Sequence, residues 1–312
     1  MPKQPLHSVV LESSQARVSL LNYGAITREW LVLLHGRLSS VVLGYATPEA
    51  YLDDPFFKGI IAGRVANRTK AGRFSLNGQP VQLSQNEGKN HLHGGHFGLG
   101  RRYWQLEADG PTAARLSYTS PDGEEGYPGR VAFTVDIRLE GPRLTYDMQA
   151  VPKVPTPINL AQHNYYNLAG SGPIWGHELQ VNTSHFTPTG PKSIPTGEVA
   201  TLAGTPQDFR TPRPLITADS TLDSNQMTAP LRDKSQPLAM LSAPNGLRLK
   251  LWSDQPAIQI YTGGGLDVPN TGICLEPQFP PNALNQPEFG SIIATPEHPY
   301  RQVLQVEIGE CP

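Results

Sequence analysis

Alternation with a period of two runs through this chain. Val131, Phe133, Val135, Ile137 and Leu139 are separated by Ala132, Thr134, Asp136 and Arg138. After a turn at Gly141-Pro142, Leu144, Tyr146 and Met148 alternate with Thr145 and Asp147. In an extended chain successive side chains point to opposite faces, so this is a hairpin with one buried and one polar face. Trp104 to Ala108 and Ala114 to Thr119 alternate in the same way. Val18 to Val42 is rich in Val, Leu and Ile, broken at Asn22-Tyr23-Gly24 and His35-Gly36, and reads as short strands with tight turns. Gly72 to Leu76 reads as a strand ending in an Asn77-Gly78 hairpin turn. Leu247 to Trp252 forms a further strand after Asn245-Gly246. Ala257 to Tyr261 is another, with Gln259 and Tyr261 on one face and Ile258 and Ile260 on the other.

Helix signals are few. Thr47-Pro48-Glu49 predicts a short helix, closed by Asp53-Asp54-Pro55. The three prolines between Val151 and Pro157 read as a connection inside one sheet system, because strand patterning resumes directly after them. His185 to Arg210 is loop-rich, and Leu222 to Gln226 reads as a polar loop. There is no repeat period and no low-complexity tract. The pattern predicts an all-β protein, a large antiparallel β-sandwich. Length alone suggests about two domains, but all-β domains run longer, so residues 1–312 are expected to form a single domain.

Composition narrows the function. The formal net charge is -2 and 17% of residues are charged, so no basic excess points to nucleic acid or an anionic membrane. The 30 glycines and 31 prolines suit many strands joined by turns. Two cysteines, Cys274 and Cys311, make no disulfide framework, and Cys274 lies in an apolar run as a small core residue. Met1 to Pro5 leads into no apolar signal segment, and no stretch is apolar enough to span a bilayer. A cytoplasmic protein is expected.

The candidate chemistry is scattered. Glu276 follows the apolar run Ile273-Cys274-Leu275 and precedes a loop rich in proline and asparagine. An acid where a strand gives way to a loop is held rigidly yet faces an opening, as a general base must. Asn159 to Gly170 sets His163 and Tyr165 on one face of an extended chain, among asparagines that can hydrogen-bond. Gly63-Arg64-Val65-Ala66-Asn67-Arg68 places two guanidinium forks and an amide among small residues that permit close backbone approach. In Asn90-His91-Leu92-His93-Gly94-Gly95-His96 the first two histidines face opposite sides, so one is structural and the other is free to donate as a neutral imidazole. His93 and His96 together offer a metal site that no cysteine cluster or His-Glu helix supports, so no metal is expected.

Taken together, these stretches resemble the aldose 1-epimerase (galactose mutarotase) family. The resemblance covers Gly63 to Arg68, Asn90 to Gly95, Ser120 to Gly129, His163 to Gly170, Ile194 to Gly197 with Asp208-Phe209-Arg210, Gln259 to Gly263, and Cys274 to Gln278. It implies a galactose mutarotase-like supersandwich with a sugar in an open cleft. It implies Glu276 as catalytic base and His163 as general acid. Asn67, Arg68, His93, Tyr165, Asp223 and Gln259 fall at its substrate-binding positions. Where the family usually has Asp-His-Asn, this chain reads Asp223-Ser224-Asn225, a departure that bears on sugar preference.

The implied reaction interconverts the α and β anomers of free hexoses of the glucose or galactose type. A base takes the proton of the C1 hydroxyl, an acid protonates the ring oxygen, and the open aldehyde recloses to either anomer. One acid and one base suffice, with no cofactor. Glu276 as carboxylate and His163 as imidazolium are expected to favour one another's charge. The expected partner is a small-molecule sugar, with no nucleic acid or membrane, and the protein is expected to be a monomer or weak homodimer. Two alternatives stand beside this one. The first is a hexose-6-phosphate 1-epimerase, whose phosphate pocket would draw on Arg64, Arg68, Arg101 and Arg102. The second is a non-catalytic sugar-binding domain on the same fold.

Overall fold

Three antiparallel sheets carry the chain in the computed structural model, which describes residues 5–229 and 232–311. The stretch Met1 to Gln4, read above for a signal segment, lies outside the described residues. A nine-stranded sheet is built around the two ten-residue strands Val131–Glu140 and Arg143–Pro152 and the C-terminal strand Tyr300–Glu310. The predicted hairpin closes at Glu140↔Arg143, with Val135 opposite Met148. A four-stranded sheet holds Ser8–Glu12, Ala16–Leu21, Ile26–Leu34 and Arg37–Ser40, broken at the two predicted turns. A six-stranded sheet runs in the order Tyr165–Tyr166, Ile273–Gln278, Ala257–Tyr261, Asp223–Met227, His185–Phe186, Ala200–Thr201.

One apolar cluster joins these sheets. Leu144, Tyr146, Leu249 and Val306 of the nine-stranded sheet pack in the same core as Val18 and Trp30 of the four-stranded sheet and Ile258, Ile260, Ile273 and Leu275 of the six-stranded sheet. This is the expected β-sandwich. Among the described residues no helix is long and apolar enough to cross a membrane. The Thr47 helix forms over Pro48–Asp53 with Pro48 in its first turn, but as a 3₁₀ helix. A six-residue segment closed by a second proline is too short for a sustained α-helical ladder. Asn77 and Gly78 both have positive φ, as the predicted hairpin turn requires.

Two readings are corrected. Leu222 to Gln226 is not a loop: Asp223–Met227 is a strand paired with Ala257–Tyr261 on one side and with His185–Phe186 on the other. Both of its faces carry polar side chains, which hides the alternation. Glu276 does not sit at a strand end. It lies inside the strand Ile273–Gln278, directly opposite Gln259, and is 2% exposed.

Candidate active site

The six-stranded sheet presents its isoleucines to the core, and period two turns the alternate residues to the other face. Directly opposed residues of antiparallel strands share a face. Register therefore lays Tyr165 beside Cys274, Cys274 beside Tyr261, Tyr261 beside Asp223, Glu276 beside Gln259, and Gln259 beside Asn225. His163, two residues before Tyr165, joins them. This polar face lies at the base of a cleft of about 220 Å³. Ser224 pairs with Ile260 and so falls on the core face. The departure from Asp-His-Asn is thus turned away from the cleft, so Ser224 does not line it.

The cleft's wall comes from two loops in close backbone contact. The Leu99 N–H donates to the Gly63 carbonyl at 2.9 Å, and a Cβ on Gly94 would stand 1.7 Å from that oxygen. Close approach of small residues, read from the sequence, is what brings Asn67 and Arg68 beside His93. Asn67 donates its N–H to His93 Nδ1 at 3.2 Å. An accepting Nδ1 leaves the proton on Nε2, so His93 carries a donor on its other ring nitrogen. Burial holds His93 neutral well below the usual imidazole range, and His163 and Arg68 reinforce this.

Glu276, His163, Asn67, Arg68, His93, Tyr165, Asp223 and Gln259 all line this one cleft. Gln259 Nε2 donates to Asp223 Oδ1 at 2.6 Å. The Tyr165 hydroxyl is already engaged, donating to the Phe56 carbonyl at 3.0 Å, so this residue offers the cleft its ring. That ring stands 5.1 Å from His163, and His93 stands 5.2 Å from it edge-on. Sequence reasoning missed Pro55, Phe56, Phe57, Leu92, Tyr261 and Gly265, which complete the lining. It also missed Glu87, whose carboxylate binds Arg68. Nothing local marks Glu87, because its partner lies across a loop.

His163 Nε2 and Glu276 Oε2 are 3.8 Å apart, beyond hydrogen bonding, and both side chains are buried. His163 Nδ1 lies 3.5 Å from Cys274 Sγ. Burial pushes the His163 imidazole down to about 4. Burial lifts the Glu276 carboxyl well above its usual range, and the Asp223 charge adds to this. The expectation that each favours the other's charge is therefore overturned: desolvation outweighs their attraction. The pair still holds one titratable proton between the two steps. Glu276 Oε2, Gln259 Oε1 and both polar atoms of the Asn225 side chain are buried without a protein partner. Unpaired groups gathered on one face suit a ligand rich in hydroxyls.

The donor atoms of His163, Cys274 and Glu276 lie within 4.8 Å of one another, the one such group among the described residues. Burial pushes the Cys274 thiol well up, so it keeps its proton and is a poor metal ligand. His96 is exposed and His93 is buried, and neither belongs to that group. His91 is the structural histidine of its segment, bonded through Nδ1 to the Ser84 carbonyl and through Nε2 to the Tyr127 hydroxyl.

The four arginines of the phosphate-pocket alternative do not converge. Arg64 is buried, donating to Ser120 Oγ and to the Pro121 and Pro128 carbonyls. Arg102 pairs with Glu124 at 2.8 Å, and Arg101 donates to the Asp54 carbonyl. Only Arg68 reaches the cleft.

Comparison with known proteins agrees with this architecture. The aldose 1-epimerase family model matches residues 7–307. The galactose mutarotase of Sus scrofa is 36% identical, over 93% of this chain and 90% of that protein. The aldose 1-epimerase of Escherichia coli (strain K12) is 31% identical, over 92% of this chain and 90% of its own length. The crystal structure of galactose 1-epimerase from Lactobacillus acidophilus NCFM superposes with a TM-score of 0.87 at 28% identity, covering 100% of this chain and 97% of that one.

Proposed function

This chain belongs to the aldose 1-epimerase family, and from that membership we propose that it interconverts the α and β anomers of free hexoses. Glu276 is the base for the C1 hydroxyl and His163 the acid for the ring oxygen. The observation that supports this best is the buried pair at 3.8 Å, too far apart to bond directly and open to one cleft. Set side by side on one cleft, such groups suit the two oxygens of the anomeric carbon, one each. One takes the C1 proton as the other gives one to the ring oxygen.

The neutral pair and the charged pair hold the same number of protons. They differ only in where the proton lies. A sugar that donates its C1 hydroxyl to Glu276 and accepts from His163 favours the charged arrangement, and the excluded water that raised its cost also strengthens those bonds. The donor on His93 and the guanidinium of Arg68 line the same cleft and are the groups assigned to stabilise charge on the ring oxygen. Asp223, Gln259 and Asn67 are the hydroxyl-recognising groups, and Tyr165 is a ring wall. The dispersal of Arg64, Arg101 and Arg102 speaks against a hexose 6-phosphate as the preferred substrate.

Polarimetry on fresh α-D-glucose and α-D-galactose tests the reading. We expect faster approach to an unchanged final rotation. Saturable sugar binding with no acceleration on either sugar would instead support a binding domain.

A further inference from the structure

We propose that Glu87 sets the charge selectivity of the cleft by occupying the guanidinium of Arg68, so that hexoses bearing an anionic group are disfavoured. This rests on the epimerase reading and names a determinant of its substrate class. Arg68 is the one lysine or arginine among the described residues lining the cleft. Its Nε and Nη2 donate to both oxygens of Glu87 at 2.7–3.1 Å. Its Nη1 stands 3.9 Å from Asp223 Oδ2.

One cation therefore faces two carboxylates. The Glu276–His163 pair adds no net charge while it holds one proton, so Asp223 leaves the cleft with an unmatched negative charge. Neighbouring cations do not correct the balance. Lys58 lies 4.2 Å from the centroid of the Tyr45 ring and 3.9 Å from Asp267. Arg102 is paired with Glu124. Arg101 stands 5.5 Å from the centroid of the Phe57 ring and does not line the cleft.

A carboxylate or phosphate on a sugar is best held by a free fork of two parallel donors. Glu87 has taken that fork. A neutral sugar needs only single donors and acceptors, which His93 Nε2–H, Asp223 and Gln259 Oε1 provide. Glu87 does not line the cleft and acts only through Arg68; a change in how Arg68 serves the ring oxygen would act on both sugars alike, so the ratio between them reads the selectivity.

The test compares galactose with galacturonate, which differ by a carboxylate at C6, using NMR exchange between anomers at equilibrium. The wild-type protein should favour galactose in kcat/KM. Glu87→Gln should raise the galacturonate-to-galactose ratio by about threefold to tenfold at low salt, and the gain should shrink as ionic strength rises. Glu87→Asp should keep the wild-type ratio. A Glu87→Gln effect equal on both sugars, or a wild-type protein indifferent to the carboxylate, would overturn the inference. A wild-type protein that leaves galactose unaccelerated would overturn the epimerase reading beneath it, so the galactose rate separates the two failures.

Discussion

Two residues carry the proposed chemistry, and the medium around them sets their terms. His163 is held down to about 4 by burial, and Glu276 is lifted well above the ordinary carboxylate range. Turnover needs one proton on the pair. As pH falls through the lower step the pair takes a second proton and the base is lost. As pH rises through the upper step the last proton leaves and the acid is lost. The profile of kcat/KM should be a bell, with an acid limb near 4 and an alkaline limb above the usual carboxylate range. A profile with no alkaline limb would contradict a shared proton. Glu276→Gln and His163→Asn should each lower kcat on the order of 10²- to 10⁴-fold, as removal of a general acid or base does. Sugar binding, followed by titration calorimetry, should largely survive. Near-normal turnover in either variant would sink the assignment of roles.

At the scale of the element, the cleft is made by the second face of a sheet and by two loops locked backbone to backbone. Strands with one wet face were legible in the sequence, because alternation of apolar and polar residues is how a half-buried strand is written. The hairpin of Val131 to Met148 shows this, with Val135 opposite Met148 as the pattern requires. The six-stranded sheet breaks that rule, since its outward face is buried against a polar cleft. Asp223–Met227 accordingly read as a loop and Glu276 as a strand end, although both lie in paired strands. The site residues were legible only as a set of motifs in order. Glu87 was not, because its role depends on a contact across a loop. The close approach read from the small residues of Gly63 to Arg68 is met from the other loop by Gly94, whose role was not read from sequence. It has φ +88°, and a Cβ there would meet the Gly63 carbonyl oxygen at 1.7 Å. Gly94→Ala should therefore force the His93 loop away from Asn67, cost about 3 kcal/mol or more of stability, and raise KM. Thermal unfolding together with polarimetry checks this, and an unchanged melting temperature would show that the loop yields freely.

For the whole molecule, the sandwich separates the work of folding from the work of catalysis. The core cluster runs from Leu11 to Ile308 and draws on all three sheets, whereas the cleft lies on the outer side of one of them. We propose on this basis that residues 1–312 unfold as one domain. Leu249 lies deep in the nine-stranded sheet, fully buried, and does not line the cleft. Leu249→Ala deletes apolar contact and leaves a cavity, which should cost about 3 kcal/mol. Because the core is shared, that loss should appear as a shift of a single unfolding transition in urea with its slope unchanged. Because the cleft is built on other residues, KM for galactose should stay within about twofold of wild type where the variant is folded. Two separated transitions, only one of them moved by Leu249→Ala, would show instead that the sheets fold as separate units, and the continuity of the core would then not carry cooperativity across the chain.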